Sequence, residues 1–203
     1  REQGFSGAED VPREDDEDSL PLFGNAPTEL VFLGNMLGSD MSELCRIRYN
    51  EIKCWPNLGH GKFGKGRVIS ALPFRYDQFN AEHIRIADID GSGAPALLCL
   101  KPSGFEIYLN RGGNGLEQTP VFVPWPEGVS YDRLCQVSFA DLQGLGCASL
   151  ILTVPHMNPE HWRYDFVAAK PYLLTATNKN MGCATQVVYR SSAQECLDEK
   201  QQW

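Results

Sequence analysis

The sequence predicts an all-β protein of the β-propeller type, with about three to four blades of four antiparallel strands, forming part of a larger propeller. Three observations predict it. Shifting IRIADIDGSGAPALLCL (84–100) by 53 residues superimposes it on VSFADLQGLGCASLILT (137–153), with Asp88 on Asp141, Gly91 on Gly144, Gly93 on Gly146 and Leu97 on Leu150. The same 53-residue shift the other way places Gly91 on Gly38, Ser92 on Ser39 and Leu97 on Leu44. Trp55-x-Asn57-x-Gly59 recurs at that spacing as Tyr108-x-Asn110-x-Gly112. A repeat of about 50 residues made of short β-branched and aromatic runs separated by Gly turns is the pattern of propeller blades.

Taken in order, residues 1–26 read as an acidic linker, expected to be disordered. Residues 1–20 carry a net charge of −6 and the rest of the chain only −2, so the acidity is confined to the lead. With few apolar side chains, such a segment cannot offset its own ordering entropy. Blades then occupy 27–190, in repeat units near 30–83, 84–136 and 137–190. In the central unit a strand at Ile84–Ile89 enters the Asp-Gly turn, and Ala96–Lys101 follows it. Pro102-Ser103-Gly104 makes a hairpin turn, Phe105–Leu109 a third strand, and Pro120–Pro124 a fourth. The first unit repeats the series, with Tyr49-Asn50 as hairpin and Ile52–Trp55 as third strand.

The third unit departs after Thr153, where Pro155, Pro159 and Pro171 interrupt it. Its later strands are expected at Tyr164–Ala168 and Tyr172–Ala176, with a further strand at Thr185–Arg190. Residues 191–203 read as a C-terminal helix or connector, because Ser192-Ala-Gln-Glu195 has the form of a capping box. Three such units are fewer than the four to eight blades that close a ring, so the chain is expected to be an excerpt or to be completed by other segments.

Composition narrows the function. A net charge of −8 argues against nucleic-acid binding. No apolar run reaches the length of a membrane span, and no signal-peptide pattern opens the chain. The seven cysteines include no Cys-x-x-Cys pair, and those on strands read as buried thiols acting as small hydrophobes rather than as a disulfide framework. His156 and His161 lack the spacing and third partner of a metal centre and are assigned to a loop. No Gly-x-Ser-x-Gly elbow occurs, and no catalytic residue is assigned. The Gly59–Gly66 stretch has the wrong spacing for a phosphate loop.

The candidate metal site is the turn with Asp88, Asp90 and Ser92, where two carboxylates, a hydroxyl and the Ala94 carbonyl could approach a calcium ion. Ala96 stands where such loops carry a further acid, so the main expectation is a structural turn and no cofactor. Trp55, Tyr108, Trp125 and Trp162 could serve as sugar-stacking platforms, but the equivalent third-strand positions of Trp55 and Tyr108 favour packing between blades.

The segments RIRYNEIKCWPNLGHGKFGK, IRIADIDGSG, VPWPEGVS, SFADLQGLGCASLILTVPHM and KPYLLTATNKNMG resemble the propeller-containing region of the B component of bacterial insecticidal toxin complexes (Tc toxins). That region is related to the virulence plasmid B protein family, with blades of the FG-GAP/VCBS type. The resemblance covers about residues 30–200, and the first turn, Asn35–Asp40, departs from the Asp-rich family form. It implies a non-enzymatic scaffold in a secreted toxin complex. The implied partners are the Rhs-repeat C component and the pentameric pore-forming A component, onto which the shell docks and through which toxin passes; no membrane insertion by this segment is implied. The alternative is an integrin-like FG-GAP adhesion module that binds calcium and a protein or glycan ligand.

Overall fold

The computed structural model describes residues 7–13, 19–156 and 160–200. Among the described residues it is all-β, with four antiparallel sheets, one short α-helix and a 3-10 turn at Ala81–His83. The first sheet runs in chain order through β1 (Leu30–Gly34), β2 (Glu43–Ile47), β3 (Glu51–Trp55) and β4 (Arg67–Ala71). The second repeats that order through β5 (Ile84–Ala87), β6 (Ala96–Lys101), β7 (Gly104–Tyr108) and β8 (Val121–Pro124). In each meander only the second and third strands are joined by a tight turn (48–50 and 102–103); the other connections are loops at 35–42, 56–66, 88–95 and 109–120. The 53-residue period is therefore the period of the sheets, with β2 and β6 beginning at Glu43 and Ala96.

The third sheet departs from expectation. It has three strands, β9 (Gln136–Ala140), β10 (Ser149–Val154) and β11 (Glu160–Tyr164), instead of four. The strand expected at Tyr164–Ala168 lies earlier, because Leu152 pairs with Trp162 and Leu150 with Tyr164. The strand expected at Tyr172–Ala176 does not form. Pro171 supplies no N–H, and Tyr172 has φ +61°, so an extended ladder is broken there. Instead β12 (Ala176–Asn178) pairs with β13 (Ala184–Gln186) in an exposed hairpin, which is shorter than the strand expected at Thr185–Arg190. Helix α1 (Ser192–Lys200) begins where the capping-box segment places it, and its expected continuation to Trp203 falls on residues outside those described.

The chain forms two compact units, residues 1–84 with 108–120, and residues 85–107 with 121–203. In the first, β2 is buried along its whole length, and Val31, Leu44 and Trp55 form a cluster against which Leu20 and Phe63 pack. The described part of the acidic lead is tied to this unit, with the Phe63 N–H donating to the Pro12 carbonyl at 3.0 Å. In the second unit Ala96, Leu97, Leu98 and Leu100 of β6 and Leu150, Leu152 and Val154 of β10 are buried. Phe105 sits 4.9 Å (ring centroids) from Trp125, 5.4 Å from Tyr164 and 6.2 Å from Phe166. The Trp125 indole N–H donates to the Lys101 carbonyl at 2.8 Å, which satisfies the polar edge of a ring that is 5% exposed.

Of the cysteines, Cys45, Cys54, Cys135 and Cys147 are buried and Cys99 half-buried, as small hydrophobes would be; Cys183 and Cys196 are exposed. His156 stands in a turn, whereas His161 belongs to β11 and not to a loop, its Nδ1 2.9 Å from Thr153 Oγ1 across the strand pair. Trp55, Tyr108 and Trp125 are buried and Trp162 half-buried, so three of the four candidate stacking platforms are core residues.

Candidate functional site

The repeated feature is the turn between the first and second strand of each of the first three sheets. In the second sheet Asp88 sits at the end of β5 and closes the turn on itself: its Oδ1 accepts the Gly91 N–H at 2.7 Å and its Oδ2 the Gly93 N–H at 3.0 Å. Asp90 Oδ1 accepts the Ser92 N–H at 3.0 Å, and Ser92 Oγ donates to the Ala94 carbonyl at 3.2 Å. The structure therefore brings all three predicted residues into one turn and gives each a backbone partner. Both Asp88 oxygens and the Ala94 carbonyl accept hydrogen bonds within the loop. Among the described residues no group of three or more His, Cys, Asp or Glu side chains is arranged to hold a metal ion.

The third turn uses the same chemistry with different spacing. Asp141 accepts the Leu145 N–H at 3.0 Å and the Gly146 N–H at 2.7 Å. These donors, Gly146 foremost, hold its carboxyl below the ordinary Asp value, because they favour the charged form. Asp165, just past β11, accepts from Ser149 Oγ at 2.6 Å and pairs with Arg163 Nε at 2.9 Å, and it too is lowered, the serine first. The second and third turns abut, with the Ala148 N–H donating to the Asp88 carbonyl at 2.8 Å.

In the first unit the turn is organised by Asn35 and Glu43. Asn35 Oδ1 accepts the Ser39 N–H at 2.8 Å and the Asp40 N–H at 3.1 Å. Glu43 is wholly buried, and its carboxylate accepts from the Leu37 N–H at 3.4 Å and from Ser39 Oγ. A loop after β7 seats against this turn. Asn110 Nδ2 donates to the Met36 carbonyl at 3.0 Å while its Oδ1 accepts the Gly113 N–H at 2.8 Å. The repeated Asn57 brackets its own loop likewise, donating to the Ser42 carbonyl at 3.1 Å and accepting the Gly59 N–H at 2.9 Å. The recurring aromatic-x-Asn-x-Gly segment is thus a loop clamp. What sequence reasoning missed is Asp165, 24 residues after Asp141 and outside any repeated motif, and the burial of Glu43, which only its place at the start of an apolar strand could have signalled.

The family model described as the insecticide toxin TcdB middle/N-terminal region matches residues 110–203. The chain is 42% identical to a chain of the Photorhabdus luminescens Tc holotoxin pore, covering 92% of this chain and 9% of that one, with a TM-score of 0.83. The chain belongs to the Tc toxin B-component family. The crystal structure of TcdB2-TccC3-Cdc42 matches at 43% identity and a TM-score of 0.79, over 87% of this chain and 8% of that one. The protein thus corresponds to under a tenth of the length of these Tc toxin chains. An Agrocybe aegerita lectin that recognises non-reducing terminal N-acetylglucosamine shares the fold alone, at 16% identity and a TM-score of 0.51 over 71% of this chain. Comparison with curated proteins gave no match.

Proposed function

We propose that this chain is the propeller-type scaffold region of a Tc toxin B component, which docks the toxin-containing shell onto the pore-forming A component and gates toxin passage. Its repeated sheets act as blades, and further blades complete the ring. Its partners are the Rhs-repeat C component and the A-component pentamer, in a complex that acts outside the producing cell. It carries no catalytic group and takes no cofactor; the Asp88, Asp90 and Ser92 turn is structural. The observation that carries the reading is the 42% identity spread over 92% of the chain to a component of a Tc holotoxin pore. Supporting it, the carboxylates that could have served chemistry in the second and third turns accept backbone N–H or side-chain donors.

The direct test is binding of the chain to an immobilised A-component pentamer, with the complete B–C shell as positive control. Saturable binding is expected. Failure to bind while the control binds would remove docking from this segment. Calcium gives an independent check. A resident site would raise thermal stability at millimolar Ca²⁺ by mass action, whereas a structural turn gives no shift beyond that of an equal concentration of Mg²⁺.

A further inference from the structure

Cys45 on β2 and Cys54 on β3 face each other across the first hairpin. The hairpin is closed by the Arg48 N–H donating to the Glu51 carbonyl at 3.0 Å, so Arg48 and Glu51 are a hydrogen-bonded pair. Pair types alternate along an antiparallel ladder. Counting through Ile47–Ile52 and Arg46–Lys53 makes Cys45–Cys54 a non-hydrogen-bonded pair. At such pairs Cα atoms lie about 4.5 Å apart and side chains converge, inside the 4.4–6.8 Å window that a disulfide spans. The two sulfurs are 2.7 Å apart. That is well inside the roughly 3.5–4.0 Å at which even carbon atoms make non-bonded contact, and about 0.7 Å longer than an S–S bond.

We propose that Cys45 and Cys54 form a cross-strand disulfide when the chain folds in an oxidising compartment. The oxidant is a low-molecular-weight disulfide such as oxidised glutathione. The Cys45 thiolate attacks one of its sulfurs and releases one glutathione thiolate. The Cys54 thiolate then attacks Cys45 Sγ and expels the second glutathione, so the chain loses two hydrogens and two reduced glutathiones form. The bond forms before the sheet closes. Once folded, both cysteines are fully buried, and the Cys54 contact together with burial pushes the Cys45 thiol far above its ordinary range, leaving little thiolate to react. The same burial then protects the bond from soluble reductants. The other cysteines differ: Cys183 and Cys196 are exposed, Cys99 is half-buried, and Cys135 and Cys147 donate to the backbone carbonyls of Ser130 and Leu145.

The test is to refold the reduced chain in a glutathione redox buffer, alkylate, and digest with trypsin, which cuts between the two cysteines after Arg46, Arg48 and Lys53. The expected product is the Cys45 peptide joined to the Cys54 peptide as the dominant cross-link, with a melting temperature about 5–10 °C above that of chain refolded in dithiothreitol, as a ten-residue closed loop predicts. Cys54→Ser should abolish that difference, and the double variant Cys183→Ala/Cys196→Ala should keep it. Recovery of Cys45 and Cys54 alkylated or glutathione-capped, or cross-linked as often to other cysteines, would overturn the proposal. So would loss of the redox-dependent shift in the Cys183/Cys196 variant, whether or not Cys54→Ser folds.

Discussion

Gly113 tests whether the loop after β7 is truly clamped onto the first turn. Its φ is +83°, and a Cβ placed there would stand 1.9 Å from the Leu37 carbonyl oxygen and 2.4 Å from its carbon. Both are backbone atoms of a turn that is itself held by Asn35 and Glu43, so neither can move without loosening the Asn110 bonds. The neighbouring Gly112 has φ +58°, and a methyl group added there would meet only open space, which makes it an internal control for backbone strain. An L-residue in the left-handed region costs about 1–2 kcal/mol. Overpacking against a well-held partner adds about 1–3 kcal/mol. Gly112→Ala should therefore lower unfolding free energy by about 1–2 kcal/mol, and Gly113→Ala by about 2–5 kcal/mol. Urea unfolding followed by far-ultraviolet circular dichroism reads both. Equal losses for the two variants would refute the close approach, and with it the clamp.

Further expectations follow from single contacts. Asn110→Ala removes the donor to Met36, whose carbonyl belongs to a fully buried residue, and should cost about 1–3 kcal/mol in the same assay. Phe105→Ala, at 0% exposure and facing three rings, should cost about 3–5 kcal/mol and collapse the near-ultraviolet aromatic signal. Asp141 has a folded-state pKa below its unfolded value of about 3.9, so its stabilisation is present above that pH and is lost as pH falls toward the folded value. Asp141→Asn should accordingly flatten the acid limb of a pH–stability profile below about pH 4 and leave its alkaline limb unchanged. Ser149→Ala should move the Asp165 carboxyl back up, a shift that carbon-detected NMR titration would register.

Most of the first two sheets was legible in the sequence because each strand there pairs with its neighbour in chain order. In that regime alternation, hairpin residues and the repeat all report the same thing. The Asp88 turn was legible for the same reason, since an Asp followed by two glycines contains its own donors and acceptor. The third sheet was not. Past Thr153 the register of β11 is chosen by the pairing of Trp162 with Leu152, a cross-strand event that no local propensity announces. Tyr172 carries the aromatic character of a strand residue but lies at φ +61°, where following Pro171 it cannot extend a ladder. Asp165 joins Ser149 only through that same pairing. Glu43 was readable as an acid but not as a buried one, because its partners are Leu37 and Ser39 of the turn that it closes.

The make-up of the two compact units has a consequence for how the chain is born. The first unit needs residues 108–120, which reach the ribosome exit only after 85–107, a segment of the second unit, has emerged. Until Asn110 and Leu116 arrive, the Met36 carbonyl lacks its Asn110 donor, and the Ser70 hydroxyl, which donates to the Ala71 carbonyl, lacks the Leu116 N–H that it accepts in the finished fold. N-terminal folding during synthesis would therefore pause with an incomplete first unit. For the same reason no single cut in the polypeptide releases either unit whole, and truncations ending near residue 84 should yield a frayed first sheet rather than a minimal domain.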